Sequence, residues 1–281
     1  MTTEQLPSDI TQTVARALEE DVGSGDITAA LIPESTNSQA RLVSRDNAII
    51  CGIPWAQEVL QQLGGKVRAK WFVADGDSVC QGDIIAEFNG CARTLLTAER
   101  CMLNFLQTLS GTATQASRLH SLVAHTGVRL LDTRKTLPGL RKAQKYAVKT
   151  GGCSNHRMGL YDAFLIKENH INACGSISDA ISTARKLDAD KTVEVEVESM
   201  VQLHEAITAA ANIVMLDNFN VEQMNEAVKL NAGRVKLEAS GGIDETSLVS
   251  IAETGVDYIS IGALTKNCEA VDLSLRFVDQ A

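Results

Sequence analysis

Nine basic residues fall between Arg129 and His170: Arg129, Arg134, Lys135, Arg141, Lys142, Lys145, Lys149, Arg157 and Lys167. Only Asp132, Asp162 and Glu168 oppose them, so the segment carries +6 within a chain of net charge −9, and the remainder carries −15. A cationic island in an acidic protein suits a small, highly anionic ligand. Within it, Arg134 and Lys135 are adjacent on a loop bounded by Pro138 and Gly139, after Thr133. A guanidinium offers a fork of donors matched to carboxylate or phosphate, and an ammonium a compact point charge. A solvated charged loop is the plainer alternative for these residues. Arg141, Lys145 and Lys149 recur every four positions and are expected to form a solvated helix face. Gly151-Gly152 reads as a helix stop, which leaves Asn155-His156-Arg157 unexplained. His156 could serve there as a donor to an anion or as an acid.

The acids form a second set. In residues 193–198 the glutamates Glu194, Glu196 and Glu198 alternate with valines and share one strand face. Inside a barrel such a row is costly unless it meets cations, hydroxyls or a metal; on an exposed edge strand it would be unremarkable. Asp217-Asn218 ends another apolar run. Ser240-Gly241-Gly242 and Gly262-Ala263 can present backbone N–H groups to a phosphate. The chain has no GxGxxG, Walker A, HExxH or GxSxG motif.

These residues need elements to position them. Helical spacing of Ile10, Val14, Ala17 and Leu18 follows a candidate N-cap at Ser8. Residues 39–90 change to short β-like segments, among them 41–50 and 67–73, with Gly-bearing turns at Asp75-Gly76-Asp77 and Gln81-Gly82-Asp83. Residues 94–125 read as two helices broken near Ser110-Gly111. Beyond them, short apolar runs at 128–131, 163–166, 193–197, 213–216, 235–237 and 258–261 alternate with amphipathic stretches. That rhythm predicts βα units with parallel strands, and so many in succession fit a closed barrel. Each run is followed by a charged residue or a glycine pair, which gathers the polar groups at the carboxyl-terminal mouth where barrel enzymes keep their chemistry.

Composition excludes several classes. Hydrophobic residues make up 44% and charged residues 22%, an ordinary globular balance. No apolar run approaches the roughly 20 residues of a bilayer span, and residues 1–21 show no apolar signal core. Seven cysteines without a CxxC pair read as reduced thiols. The expectation is a cytoplasmic protein that binds neither membrane nor nucleic acid.

The run LDTRKTLPGLRKAQKYAVKTGGCSNHRMGLYDAFLIKENH, residues 131–170, resembles the signature region of the quinolinate phosphoribosyltransferases. EEDVGSGDIT (19–28), AER (98–100), EVEVES (194–199), MLDNF (215–219), EASGGI (238–243) and DYISIGALT (257–265) resemble the same family in the same order. Departures are Leu137, where Thr is usual, and Cys153 in place of a third glycine. The resemblance implies an α/β fold: an N-terminal α/β sandwich over 1–110, with the tail 271–281 packed on it, and an incomplete parallel α/β barrel over 111–270. It implies Mg²⁺-dependent transfer of phosphoribosyl from phosphoribosyl pyrophosphate (PRPP) to quinolinate, with loss of CO₂, in a homodimer whose sites lie at the interface. Carried over by position, quinolinate would meet Arg100, Thr133, Arg134, Lys135, His156, Arg157 and Lys167. PRPP would meet Glu196, Asp217, Ser240, Gly241, Gly242, Gly262 and Ala263, with Glu196 and Asp217 also as Mg²⁺ ligands. Lys135, Lys167, Glu196 and Asp217 would be catalytic. Two readings compete: a phosphoribosyltransferase acting on nicotinate without decarboxylation, and a non-catalytic phosphate-binding barrel that senses a nucleotide.

Overall fold

A computed structural model describes residues 6–278. The first five residues of the N-terminal segment and residues 279–281 of the tail lie outside the described residues. Twelve strands are described: β1 (Asn37–Ser44), β2 (Ala48–Ile49), β3 (Val67–Trp71), β4 (Ser78–Val79), β5 (Ile84–Cys91), β6 (Arg129–Leu131), β7 (Phe164–Ile166), β8 (Val193–Val197), β9 (Ile213–Asp217), β10 (Lys236–Ser240), β11 (Tyr258–Ser260) and β12 (Leu273–Val278). They fall into two compact units.

The first unit takes residues up to 117, with 136–152 and 265–278. Its antiparallel sheet runs β12-β1-β5-β3, so the final strand pairs with the first. Strand β1 alternates, with Ala40, Leu42 and Ser44 buried and Gln39 and Arg41 exposed, as expected of a sheet with one wet face. The dry face packs Leu42, Ile85 and Phe88 with Trp55, Leu95, Met102 and Leu106 from the helices.

Three expectations are corrected here. Helix Ile10–Val22 has Asp9, not Ser8, at the cap position, and the Ser8 hydroxyl instead accepts from Lys142 Nζ at 3.3 Å. The expected break at Ser110-Gly111 is absent, and one helix runs from Ala92 to Leu122. Ser110 Oγ accepts from the Cys51 amide at 2.9 Å and donates to the Cys51 carbonyl at 3.2 Å. A methyl on Gly111 would overlap the Glu269 carbonyl, so this pair marks a close approach of backbones. Lys145 is fully buried, so the expected solvated stripe holds only at its ends, where Arg141 is half-buried and Lys149 exposed. Gln144 and Val148, four residues apart on helix Arg141–Thr150, are both buried. Gln144 pins that side inward, accepting from the Leu137 amide at 2.7 Å and donating to the Thr265 carbonyl at 2.9 Å.

The second unit, 118–135 with 153–264, is a six-stranded parallel sheet in the order β6-β11-β10-β9-β8-β7, with helices in its connections. On one face of β8 Val193, Val195 and Val197 are fully buried, and on the other Glu194 is buried as well, as in a parallel strand covered on both faces. β8 is an inner strand, which removes the edge-strand alternative for its glutamates. The expected closed barrel is open: among the described residues β6 and β7 do not pair. The free side of β6 is taken by Ser154, whose amide donates to the Leu130 carbonyl at 2.8 Å and whose carbonyl accepts from the Asp132 amide at 3.1 Å.

Candidate active site

Parallel register sets the rim of the second unit. Ile166 aligns with Val195, so Lys167 is level with Glu196, and Asp217 aligns with Ser240. Lys167 Nζ forms an ion pair with Glu196. Burial, and then the Glu196 charge, push the Asp217 carboxyl up from its ordinary range, while the Lys167 and Lys135 charges pull the other way. Two carboxylates and two ammoniums therefore share one electrostatic neighbourhood.

Two of the rim glycines, Gly241 and Gly262, allow close approach. Asn218 adopts a left-handed φ of 56°, donates its amide N–H to the Ser240 carbonyl at 3.0 Å, and donates Nδ2 to Asp217 Oδ2 at 3.0 Å. Gly241, at φ 107°, passes directly over it: a Cβ there would lie 2.9 Å from Asn218 Cγ and 3.0 Å from its backbone nitrogen. Gly242 has φ 59° but open space around it. A Cβ on Gly262 would meet Lys135 Cδ at 3.1 Å and Thr133 Oγ1 at 3.8 Å, so the Lys135 side chain lies across Gly262. The Thr133 hydroxyl accepts from the Lys135 amide at 3.1 Å, and Ala263 begins the short helix Ala263–Lys266.

Arg134 and Arg157 are brought together from two loops. Burial, and then the Arg134 charge, lower the pKa of the Arg157 guanidinium, while Glu194 and Asp162 pull the other way. Arg157 donates to the Ala163 carbonyl at 3.1 Å. Behind it, His156 Nε2 lies 3.1 Å from Glu194 Oε2 and 3.5 Å from Glu238 Oε2. The His156 amide donates to Asp132 Oδ1 at 2.9 Å, and Asn155 Nδ2 donates to Asp132 Oδ2 at 2.6 Å. Burial, then the Glu194 charge, push the Glu238 carboxyl up to about 8.

Lys135, Lys167, Glu196, Asp217, Thr133, Arg134, His156, Arg157, Ser240, Gly241, Gly242, Gly262 and Ala263 all belong to the second unit. Arg100 does not; it is exposed on helix Ala92–Leu122 in the first. Sequence reasoning did not assign Asp132, Asn155, Glu194 or Glu238 to the site. The one signal for Glu194 is its period-two relation to Glu196.

Fold and site together define a class: a parallel α/β enzyme that gathers cations and carboxylates at the carboxyl ends of its strands, a setting for an anionic substrate. The chain matches the N-terminal domain of quinolinate phosphoribosyl transferase over residues 26–110 and the C-terminal domain over 112–276. It is 41% identical over 257 residues to the probable nicotinate-nucleotide pyrophosphorylase [carboxylating] of Bacillus subtilis, covering 91% of this chain and 89% of that one. It is also 41% identical over 270 residues to the nicotinate-nucleotide pyrophosphorylase [carboxylating] of Mycobacterium leprae, covering 94% and 95%. The solved nicotinate-nucleotide pyrophosphorylase of Francisella tularensis is 49% identical, covers 98% of each chain and superposes with a TM-score of 0.95. This chain belongs to the quinolinate phosphoribosyltransferase family.

Proposed function

We propose that this enzyme is a carboxylating nicotinate-nucleotide pyrophosphorylase. It transfers phosphoribosyl from PRPP to quinolinate and forms nicotinate mononucleotide, pyrophosphate and CO₂ for de novo NAD biosynthesis. The observation that carries the substrate reading is the half-buried Arg157, tied to the Ala163 carbonyl and subject to the Arg134 charge, in the same unit whose Asp217 feels the ammoniums of Lys167 and Lys135. Quinolinate brings two carboxylates, whereas nicotinate brings one and would need a single clamp.

On this reading Arg134 and Arg157 hold the carboxylates, and a fork–fork contact sets the ring's orientation as well as its affinity. Glu196 and Asp217 face the ribose hydroxyls, while Ser240, Gly241, Gly242, Gly262 and Ala263 receive its phosphate through backbone N–H groups. The pyridine nitrogen attacks ribose C1 as pyrophosphate leaves through an oxocarbenium-like state. Lys135 and Lys167 offset the charge growing on the leaving group, and the carboxylates oppose the positive ribose. Ribosylation makes the ring nitrogen cationic. That charge stabilises the C2 carbanion left when CO₂ departs, until C2 takes up a proton. Positioning and desolvation of the 2-carboxylate are the protein's part in this step.

Asp217, its pKa raised by burial and then by the Glu196 charge, forms with Glu196 an oxygen donor set suited to Mg²⁺. Glu196 and Asp217 would hold the ion. When bound, it supplies charge neutralisation at the pyrophosphate.

Arg100 enters this reading through a homodimer: an isologous interface lets each chain's Arg100 complete its neighbour's quinolinate pocket. The cytoplasm is the assigned compartment, in keeping with seven free cysteines. Purified protein with Mg²⁺, PRPP and quinolinate should form nicotinate mononucleotide and CO₂ in equal amounts. A protein that bound these ligands without turnover would be the nucleotide-sensing barrel instead.

A further inference from the structure

Register builds the wet face of the antiparallel sheet in rows, because paired residues carry their side chains at one level. One row reads Arg276, Arg41, Glu87 and Lys70 across β12, β1, β5 and β3. The next reads Val278, Gln39, Asn89 and Arg68. Four cations against one acid give these rows +3 in a chain of −9. Glu87 is committed to Arg41 at 2.9 Å. Among the described residues Arg68, Lys70 and Arg276 enter no ion pair. Lys70 Nζ lies 4.7 Å from the centre of the Phe72 ring. Phe72 is 47% exposed and Ile84, which pairs with Val43, 40%.

Two of the cations oppose each other: Arg41 and Arg276 are directly paired residues of β1 and β12. Like charges at such positions destabilise a sheet. Charges on edge strands guard against aggregation, which accounts for Arg68 and Lys70 on β3 and Arg276 on β12. It does not account for Arg41, which sits on the inner strand β1 and faces Arg276. An anion laid between the two removes the cost.

The shape and charge of the face select among anions. A shallow groove of about 400 Å³ is lined by Arg41, Arg68, Lys70 and Val278. From β12 to β3 the strands span about 14 Å, at about 4.8 Å per step. That is too wide for one phosphate or carboxylate and suits several carboxylates on one chain. A nucleic-acid backbone would be repelled by the net charge of the whole protein. A second copy docked through the same face would set its arginines against these. Helix Ala92–Leu122, which bears Arg100, packs on the opposite, dry face through Leu95, Met102 and Leu106, so a dimer made through Arg100 does not need this one.

We propose that the wet face of this sheet is a docking surface for an acidic segment of a partner protein, with carboxylates on Arg276, Arg41 and Arg68 and an apolar side chain against Phe72 and Ile84. Arginine and aromatic residues are the types enriched in protein interfaces. Four short strands offer less than the roughly 800 Å² per partner of a stable complex, so the contact is transient and salt-sensitive. It involves none of the residues assigned to the transferase chemistry and stands whether or not quinolinate is the substrate.

The probe is a fluorescent peptide of glutamates with one phenylalanine and one leucine. It is titrated with the full chain and read by anisotropy at about 20 mM and about 200 mM salt. Binding is expected at the lower salt and should weaken about tenfold or more at the higher. Arg68→Glu/Arg276→Glu should also weaken it about tenfold or more. Lys186→Glu/Lys229→Glu changes net charge equally at exposed helix positions elsewhere and should change binding less than about twofold. Both variants should keep native kcat/KM. Arg276→Gln removes one of the opposed charges, so it should weaken the peptide and raise Tm by about 1–4 °C. It decides the matter if the charge reversals do not fold. Equal weakening by the two double variants would mark a net-charge effect and overturn the proposal. So would no binding at the lower salt, displacement of the peptide by stoichiometric inorganic pyrophosphate, or tighter binding of poly-uridine RNA or phosphatidylserine vesicles. A lower Tm in Arg276→Gln would make that arginine structural, with the same consequence.

Discussion

Gly241 and Gly242 are adjacent, both have positive φ, and alanine should affect them very differently. At Gly242, φ 59° is the left-handed helical region and nothing lies within 4 Å of an added Cβ. The cost is the backbone penalty alone, about 1–2 kcal/mol. At Gly241, φ is 107° and the Cβ would stand 2.9 Å from Asn218 Cγ and 3.0 Å from its backbone nitrogen. The backbone nitrogen cannot swing aside like a side-chain tip, so strain of about 1–3 kcal/mol adds to overpacking of similar size. Relief must come from movement of Asn218, whose amide holds Asp217 at 3.0 Å. Gly242→Ala should therefore lower Tm by a few degrees, at about 2–4 °C per kcal/mol, and leave kcat/KM for PRPP within a few-fold. Gly241→Ala should lower Tm at least twice as far and cut kcat/KM for PRPP by about tenfold or more. Thermal melts and initial rates on both variants make the comparison. Equal losses in the two would show that the approach of Gly241 to Asn218 does not hold Asp217 in place.

Arg134→Lys keeps the charge and loses the fork, so kcat/KM for quinolinate should fall about 10²–10⁴-fold, at roughly 1.5–3 kcal/mol for each lost charged hydrogen bond; near-native activity would remove Arg134 from the clamp. The Glu238 carboxyl is raised in the folded chain to about 8 from an ordinary 4.5, so the folded state holds a proton that the unfolded state releases. Its contribution to stability is full below about 4.5 and is lost as pH rises through about 8. Glu238→Gln should flatten that decline between pH 5 and 8.5 in a series of thermal melts. Arg100→Ala and Lys167→Ala homodimers should each be nearly inactive. Subunit exchange in an equal mixture should restore about a quarter of the sites if Arg100 acts in trans, read as the rate at saturating substrate.

The parts of the fold legible in the sequence were those with a strong period. Residues 213–217 form an apolar run of the kind a parallel strand covered on both faces requires, residues 193–197 alternate valine with glutamate at the strand period, and the polar residues ending the runs mark the rim. Lys167, Glu196 and Asp217 were found that way. The helix through Ser110-Gly111 was misread because the pair's packing partners, Cys51 and the Glu269 carbonyl, lie far along the chain and leave no local trace. Lys145 misled for a related reason: periodicity defines a face, but it does not show that the helix is pinned by Gln144's bonds to Leu137 and Thr265, with Lys145 buried and Lys149 left exposed. The cluster behind Arg157 escaped because Asp132, His156, Glu194 and Glu238 come from separate strands and a loop. Period two places Glu194 on the inner face without naming the ring it meets.

The pocket for two carboxylates is tested most directly by competition. Protein with Mg²⁺ and PRPP would be given equal quinolinate, carrying ¹³C in its 2-carboxyl group, and unlabelled nicotinate. Quinolinate should be consumed with its label recovered as CO₂, mole for mole with nicotinate mononucleotide, while nicotinate remains. Consumption of nicotinate at an equal or greater rate, without labelled CO₂, would contradict the two-carboxylate pocket and mark the chain as a transferase of the simpler pyridine acid.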